Sequence, residues 1–188
     1  MTNSKSISFI RHGKTEANEK RLYCGHTDLD LSLSGITELR ELRKTVRYPA
    51  GDIYVTTGFK RTVSTLRVLY GETESITIPE LAEYNFGDFE MKNHEELQYL
   101  QCYINWIEDE HARCPNGESR AGFNARITEG FEKLKAISGS VVCICHGGVV
   151  ASLMEAIFPG KKGFYDWQPG FGRGYTVTFG VNIDYKNI

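Results

Sequence analysis

Two short apolar runs, each ending in a histidine followed by glycine, constrain this chain more than any other feature. The first, "ISFIRHG", covers residues 7–13, and the second, "SVVCICHGG", covers residues 140–148. β-Branched and other apolar residues packed this densely read as strands buried in a sheet. Each run stops abruptly and hands an imidazole to its carboxyl end, the edge at which open α/β sheets bind ligands.

Strand and helix patterns alternate between and around these runs. Ser34 is positioned to cap a helix through about Arg47, with Ile36, Leu39, Leu42 and Val46 at helical spacing. "DIYVTT" reads as a second strand, followed by a helix in "GFKRTVSTLRVLYG" whose apolar face is Val63, Leu66, Leu69 and Tyr70 and which Gly71 closes. A short strand near "SITIP" leads into the irregular "ELAEYNFGDFEMKN". A helical stretch over 93–111 and a longer one from Ser119 to Ile137 follow. "GGVVASLMEAIF" is the helix after the second histidine strand, and "GRGYTVTFGVNI" is a late strand at an edge. This alternation predicts an α/β fold, a three-layer α/β/α sandwich around a mostly parallel sheet, with residues 1–188 as one domain.

Composition narrows the partners. The 188 residues carry a net charge of −2, so no global basic field points to nucleic acid or to an anionic membrane. Anion binding must then come from a local cluster. The opening "MTNSKSISFI" is too short an apolar stretch for a leader or a membrane span, and the five cysteines lack the spacing of a disulfide framework. A reduced, cytoplasmic protein is expected. Alternation puts Cys143 and Cys145 on one face of their strand and His146 on the other, which favours core packing over a shared metal. Cys102, His111 and Cys114 lack the paired short spacings of a zinc site. Neither a metal nor another cofactor is expected.

Arg61 lies just past the second strand, at the start of its helix. It therefore meets Arg11, His12 and His146 from three strand ends. The helix that begins near Gly147 adds N–H groups and a positive dipole end. Taken singly, Arg61 is an ordinary surface helix residue, His146 a core histidine and Glu83 a loop carboxylate. Two arginines and two histidines facing one another have no structural purpose, whereas a shared anion, phosphate above all, would neutralise them.

These residues resemble the histidine phosphatase superfamily, the phosphoglycerate mutase-like fold. "RHGKTEAN" looks like its phosphohistidine motif, "TTGFKRTVST" its second-arginine segment, "LAEYNFGDFE" its acid-bearing loop and "CHGG" its second-histidine motif. "GHTDLDLSLSG" and "PNGES" match connecting segments, so the likeness runs along nearly the whole chain in order. Within the superfamily, "YNFGDFEMKNHEEL" after "LYCGHTD" is most similar to the α-ribazole phosphatases of cobalamin nucleotide-loop assembly. Two positions depart from the pattern: Thr57-Gly58-Phe59 replaces a serine-proline-leucine lead-in, and Phe89 replaces a loop tryptophan. Neither departure is expected to touch the five polar groups.

The resemblance implies a phosphomonoester hydrolase with a phosphohistidine intermediate. His12 is then the nucleophile and Glu83 the general acid and base; Arg11, Arg61 and His146, protonated or acting as a donor, hold the phosphoryl oxygens. Asn18 and Gly147 fall at phosphate-binding positions, and Gly25, Tyr23 and Tyr84 at substrate-binding ones, with segment 93–111 as a candidate lid. The implied partners are a small phosphomonoester and the inorganic phosphate product, with a homodimer left open. A mutase is the runner-up, disfavoured by the absence of long insertions. A broad-specificity phosphatase and a non-catalytic phospho-ligand binder also stay open, the last weakened because His12 and Glu83 are both present.

Overall fold

The computed structural model describes residues 5–188; residues 1–4, the beginning of the polar N-terminal stretch, lie outside the described residues. Six strands and eight α-helices follow one another as β1 (Lys5–Arg11), α1 (Glu16–Glu19), α2 (Leu33–Thr45), β2 (Ile53–Thr56), α3 (Lys60–Tyr70), β3 (Ile76–Thr77), α4 (His94–Leu97), α5 (Gln101–Glu108), α6 (Arg120–Ala136), β4 (Val141–Cys145), α7 (Gly147–Ile157), α8 (Phe164–Trp167), β5 (Gly174–Phe179) and β6 (Ile183–Asn187). Single 3-10 turns at Pro79–Leu81 and Gly87–Phe89 shape the loop between β3 and α4.

The strands form one sheet in the order β3-β2-β4-β1-β5-β6. The first four are parallel, while β5 runs antiparallel to β1 and β6 antiparallel to β5. The two histidine strands are direct neighbours, with Arg11 opposite Cys145 in register. That pairing carries His12 and His146 off the same edge of the sheet, side by side.

Alternation along these strands feeds two cores. Ile7, Phe9, Cys143 and Cys145 face α6 and α7, where Phe123, Ile127, Leu134, Val149, Val150 and Met154 are buried. Ile10, Val142 and Ile144 face α2 and α3, against Leu39, Leu66 and Leu69. Helices therefore cover both faces of the sheet, the sandwich expected when parallel strands alternate with helices. The two strand cysteines are packing residues on one face, both free thiols. Among the described residues no helix is long and apolar enough to cross a membrane, and no group of three metal-ligating side chains comes together.

Four local expectations change. Helix α2 is capped by Ser32, whose hydroxyl accepts the Gly35 N–H at 3.1 Å, while Ser34 turns its hydroxyl to Glu19. Helix α3 exposes Val63 and buries Arg61, Thr62 and Thr65 beside Leu66 and Leu69, because its inner face closes over the polar end of the sheet. Segment 93–111 is two short helices. Its buried anchors Leu97 and Tyr103 are six positions apart, and an unbroken helix would aim them well over a right angle from each other. The late strand is two: β5 lies inside the sheet, and a turn at 180–182 returns the chain as β6, which takes the edge.

Candidate active site

The carboxyl ends of β1, β2 and β4 bring His12, Arg11, Arg61 and His146 together. His12 is 5% exposed, and Arg61 and His146 are wholly buried. The two imidazoles meet edge to face with ring centroids 5.2 Å apart. The backbone N–H of His12 donates to the Cys145 carbonyl at 3.0 Å, so strand pairing persists right up to the first histidine.

Each imidazole is held in one tautomer. His12 Nδ1 lies 2.6 Å from the Gly13 carbonyl oxygen, which can only accept, so Nδ1 carries the proton and Nε2 keeps its lone pair. Burial, then the Arg61 charge, holds the His12 pKa well below its ordinary value of 6.5; Arg11 adds to the effect and the Gly13 bond opposes it. His146 Nδ1 accepts from Arg61 Nε at 3.3 Å, which leaves its proton on Nε2, 2.9 Å from the Thr57 hydroxyl. Burial, then Arg61 and His12, keeps this ring neutral as well. His146 is therefore a neutral ring rather than the imidazolium, and its Nε2 proton faces Thr57 rather than open space for a phosphoryl oxygen.

The arginines are clamped by neutral partners. Arg61 donates to the carbonyls of Gly25 and Thr27, the latter at 3.0 Å, and its guanidinium lies 4.6 Å from the Phe59 ring centroid. Arg11 donates to the Pro169 carbonyl at 2.9 Å and stacks on Phe171 at 3.8 Å. Its Nε is shielded from solvent and has no hydrogen-bond partner among the described residues. A buried donor left orphaned in a cationic cluster suits an incoming anion oxygen.

Glu83 arrives from the loop after Pro79–Leu81. Its carboxylate accepts the Gly148 N–H at 3.0 Å and the Tyr84 N–H at 3.0 Å. The α7 amino end therefore holds Glu83 through Gly148, a use of that dipole not foreseen when the whole end was assigned to phosphate. A Cβ on residue 148 would lie 2.5 Å from Glu83 Oε1, and one on Gly147 would lie 2.9 Å from Arg11 Nε. The double glycine thus lets acid and arginine reach the same helix end.

The remaining expected positions fall around this centre. Asn18 and Arg11 line a small hollow of about 320 Å³ together with Tyr23. The Asn18 side-chain oxygen accepts the Thr15 N–H in a capping box at the start of α1. A larger cavity of about 650 Å³ opens beyond Glu83, lined by Tyr23, Tyr84, Phe86, Trp106, Phe123 and Tyr165 among others. Tyr23 and Tyr84 present ring surface there, for their hydroxyls are committed to Tyr103 and to the Glu118 carbonyl. Helices α4 and α5 supply His94, Tyr103 and Trp106 to one wall, where the lid segment was expected. Gly25 touches the site only through its carbonyl on Arg61.

Several contributors escaped sequence reading. Thr57 stands where the pattern departs from the family, and against expectation that departure does touch the polar groups, Thr57 meeting His146 at 2.9 Å and Phe59 packing on Arg61. Arg126 on α6 binds the carbonyls of Glu80 at 2.8 Å, Ala82 at 2.9 Å and Glu83 at 3.2 Å and pairs with Glu118 at 2.6 Å, pinning the acid loop. Phe59 and Phe171 cover the arginines as scattered loop aromatics, without a motif to reveal them.

The family model of the histidine phosphatase superfamily, branch 1, matches residues 7–169. The adenosylcobalamin/alpha-ribazole phosphatase of Salmonella typhimurium is 33% identical over 155 residues, covering 79% of this chain and 77% of that protein. A 2,3-bisphosphoglycerate-dependent phosphoglycerate mutase of Cytophaga hutchinsonii is 29% identical and covers 97% of this chain and 91% of its own. The crystal structure of the alpha-ribazole phosphatase from Shigella flexneri superposes with a TM-score of 0.81 at 26% identity, over 94% of this chain and 91% of that one. With the family model spanning residues 7–169 and a relative one-third identical over more than three quarters of both chains, the chain belongs to the histidine phosphatase superfamily.

Proposed function

We propose that the protein hydrolyses a phosphomonoester through a phosphohistidine on His12, and that its substrate is α-ribazole 5′-phosphate. The observation that carries the chemistry is a neutral His12 with Nδ1 locked on the Gly13 carbonyl and an Nε2 lone pair amid two arginines. In the first step Nε2 attacks phosphorus in line, the ester P–O bond breaks, and Glu83 gives its proton to the leaving alkoxide. In the second, the Glu83 carboxylate takes a proton from water, the hydroxide oxygen bonds to phosphorus, and the P–N bond breaks to restore neutral His12. Arg11 and Arg61 hold the equatorial oxygens, where charge accumulates in a loose transition state, while His146, accepting from Arg61 Nε and turned to Thr57, orients the Arg61 guanidinium.

The leaving group is read from the larger cavity. Its aromatic walls suit a flat heterocycle. Glu110 and Glu155 line it besides Glu83, with Arg120 as the lining arginine, which favours an uncharged leaving group over the carboxylate of a phosphoglycerate. The Salmonella relative's name supports the same choice. Five free thiols support a reducing, cytoplasmic setting.

The test is kcat/KM over a panel of phosphomonoesters. α-Ribazole 5′-phosphate should exceed 3-phosphoglycerate and simple sugar phosphates by about a hundredfold, some 3 kcal/mol of transition-state binding. Equal values across the panel would leave the phosphohistidine route standing and make the protein a broad-specificity phosphatase.

A further inference from the structure

Arg61 has the deepest charge in the site, and its hydrogen-bond partners among the described residues are two carbonyls and an imidazole nitrogen, none of them anionic. A guanidinium buried without a contacting carboxylate is costly unless something else compensates it. Glu83, Asp28 and Glu90 all lie near enough to favour its charge, and Glu90 does so from one backbone layer away. Glu90, just after the turn at Gly87–Phe89, sets its carboxylate against the opposite side of loop 25–27. It accepts the N–H of Gly25 at 3.0 Å, of His26 at 2.9 Å and of Thr27 at 3.2 Å, together with the Thr27 hydroxyl at 2.7 Å. The Phe86 N–H adds a further bond at 3.2 Å.

The loop therefore runs between an anion and a cation, with N–H groups turned to Glu90 and the carbonyls of Gly25 and Thr27 turned to Arg61. Peptide dipoles so aligned pass the influence of the carboxylate to the guanidinium without neutralising it by direct contact. The close approach depends on Gly25, where a Cβ would fall 1.6 Å from the Tyr84 carbonyl oxygen and 2.8 Å from Glu90 Oε1. Neighbouring backbone bonds, Tyr23 N–H to the Lys92 carbonyl at 2.9 Å and Met91 N–H to the Tyr23 carbonyl at 2.8 Å, fix the loop's edge and leave its centre to Glu90.

We propose that Glu90 is a positioning residue for Arg61, holding the guanidinium in phosphate-binding geometry through the backbone of residues 25–27 while leaving its charge free for the anion. The proposal rests on the reading that Arg61 binds the transferring phosphoryl group. Glu90 itself touches no reacting atom.

A double-mutant cycle tests it, with p-nitrophenyl phosphate as substrate and inorganic phosphate as competitive inhibitor. Glu90→Gln keeps the shape but turns an NH2 group toward N–H donors, so kcat/KM should fall by about ten- to a hundredfold and phosphate should inhibit correspondingly less. In an Arg61→Ala background the same change should cost less than about twofold in either quantity, because the group it positions is gone. Equal losses in both backgrounds would make Glu90 a general structural support, and no loss in the parent would remove it from the site; either overturns the proposal. Glu90→Asp, which keeps the charge on a shorter stem, runs through the same cycle should Glu90→Gln fail to fold, and should show the same non-additivity. Full activity of Arg61→Ala alone would instead overturn the underlying reading of the site.

Discussion

The two ends of the site are built differently. The phosphate end stands on the sheet: His12 and His146 extend from adjacent parallel strands in fixed register, buried, and each tautomer is set by a named partner. The leaving-group end stands mainly on loops and on the short helices α4, α5 and α8, closed by the first turns of α6 and one side of α7, and most of its surface is ring faces, several of them partly exposed. Strand register leaves the first little freedom, since a one-residue slip would reverse every side chain. Short helices and loops can be exchanged without disturbing the sheet.

The hardest blow to that contrast falls on the phosphate end. His12→Ala should abolish turnover, with a loss of at least about four orders of magnitude, and also the acid-labile label left after brief incubation with labelled substrate and alkaline quenching. A variant that still takes up the label would place the covalent step outside the buried centre, and one that stays active without the label would remove that step from turnover. Glu83 stands where the two ends meet. Glu83→Gln should cut the phosphorylation rate by about two to four orders of magnitude with an alkyl phosphate, and much less with p-nitrophenyl phosphate, whose leaving group needs little protonation. Equal losses with both esters would shift Glu83 wholly to the binding side.

At the cavity end the effects should shrink and become substrate-dependent. Tyr165 is 84% exposed at the cavity wall, so Tyr165→Ala should fold normally. It should lower kcat/KM for α-ribazole 5′-phosphate by about tenfold, and for p-nitrophenyl phosphate by several-fold less. A uniform loss would erase the distinction between the two ends.

The smallest effect is one of stability. Burial, then Arg61, depresses the pKa of both His12 and His146 from 6.5, so below that pH the unfolded chain binds protons that the folded chain refuses. Stability should therefore rise as pH climbs through about 6.5 and level off above it, each histidine contributing a slope of up to about 1.4 kcal/mol per pH unit below that point. Denaturant midpoints measured between about pH 5 and 8 should show a shallower slope for His12→Asn and an unchanged one for Tyr165→Ala. An unaltered slope in His12→Asn would mean that this ring takes up its proton in the folded state.

The same division governs what could be read from the sequence. Strand ends are legible because apolar periodicity places them and alternation aims their side chains, so the sequence alone sets His12, His146 and Arg61 at one edge of the sheet. Glu83 needed the family pattern, since a carboxylate in an irregular loop has no period to locate it. Thr57, Glu90 and Arg126 act through backbone carbonyls, N–H groups and ring nitrogens of distant segments, and contacts of that kind leave no pattern in composition or spacing. The break between α4 and α5 was hidden for a related reason. Tertiary anchoring of Leu97 and Tyr103 overrode a helical sequence, and which residues find an anchor is settled only in three dimensions.

The position of β1 in the middle of the sheet bears on how the chain is made. Its two neighbours are β4, paired from Ile7 to Val141, and β5, paired from Lys5 to Phe179, so roughly 130 to 170 residues separate partners that must meet. On a ribosome the strand that ends in His12 emerges well before either flank and waits for β4 and then β5 to follow. Throughout that interval Ile7, Phe9 and Ile10 are an unpaired apolar strand open to wrong partners. Closure over such separations is slow, and the exposed strand is an aggregation hazard. The middle of the sheet thus closes only once β4 and β5 exist, and chaperone demand should follow the synthesis of these two strands more closely than that of the loops around the cavity.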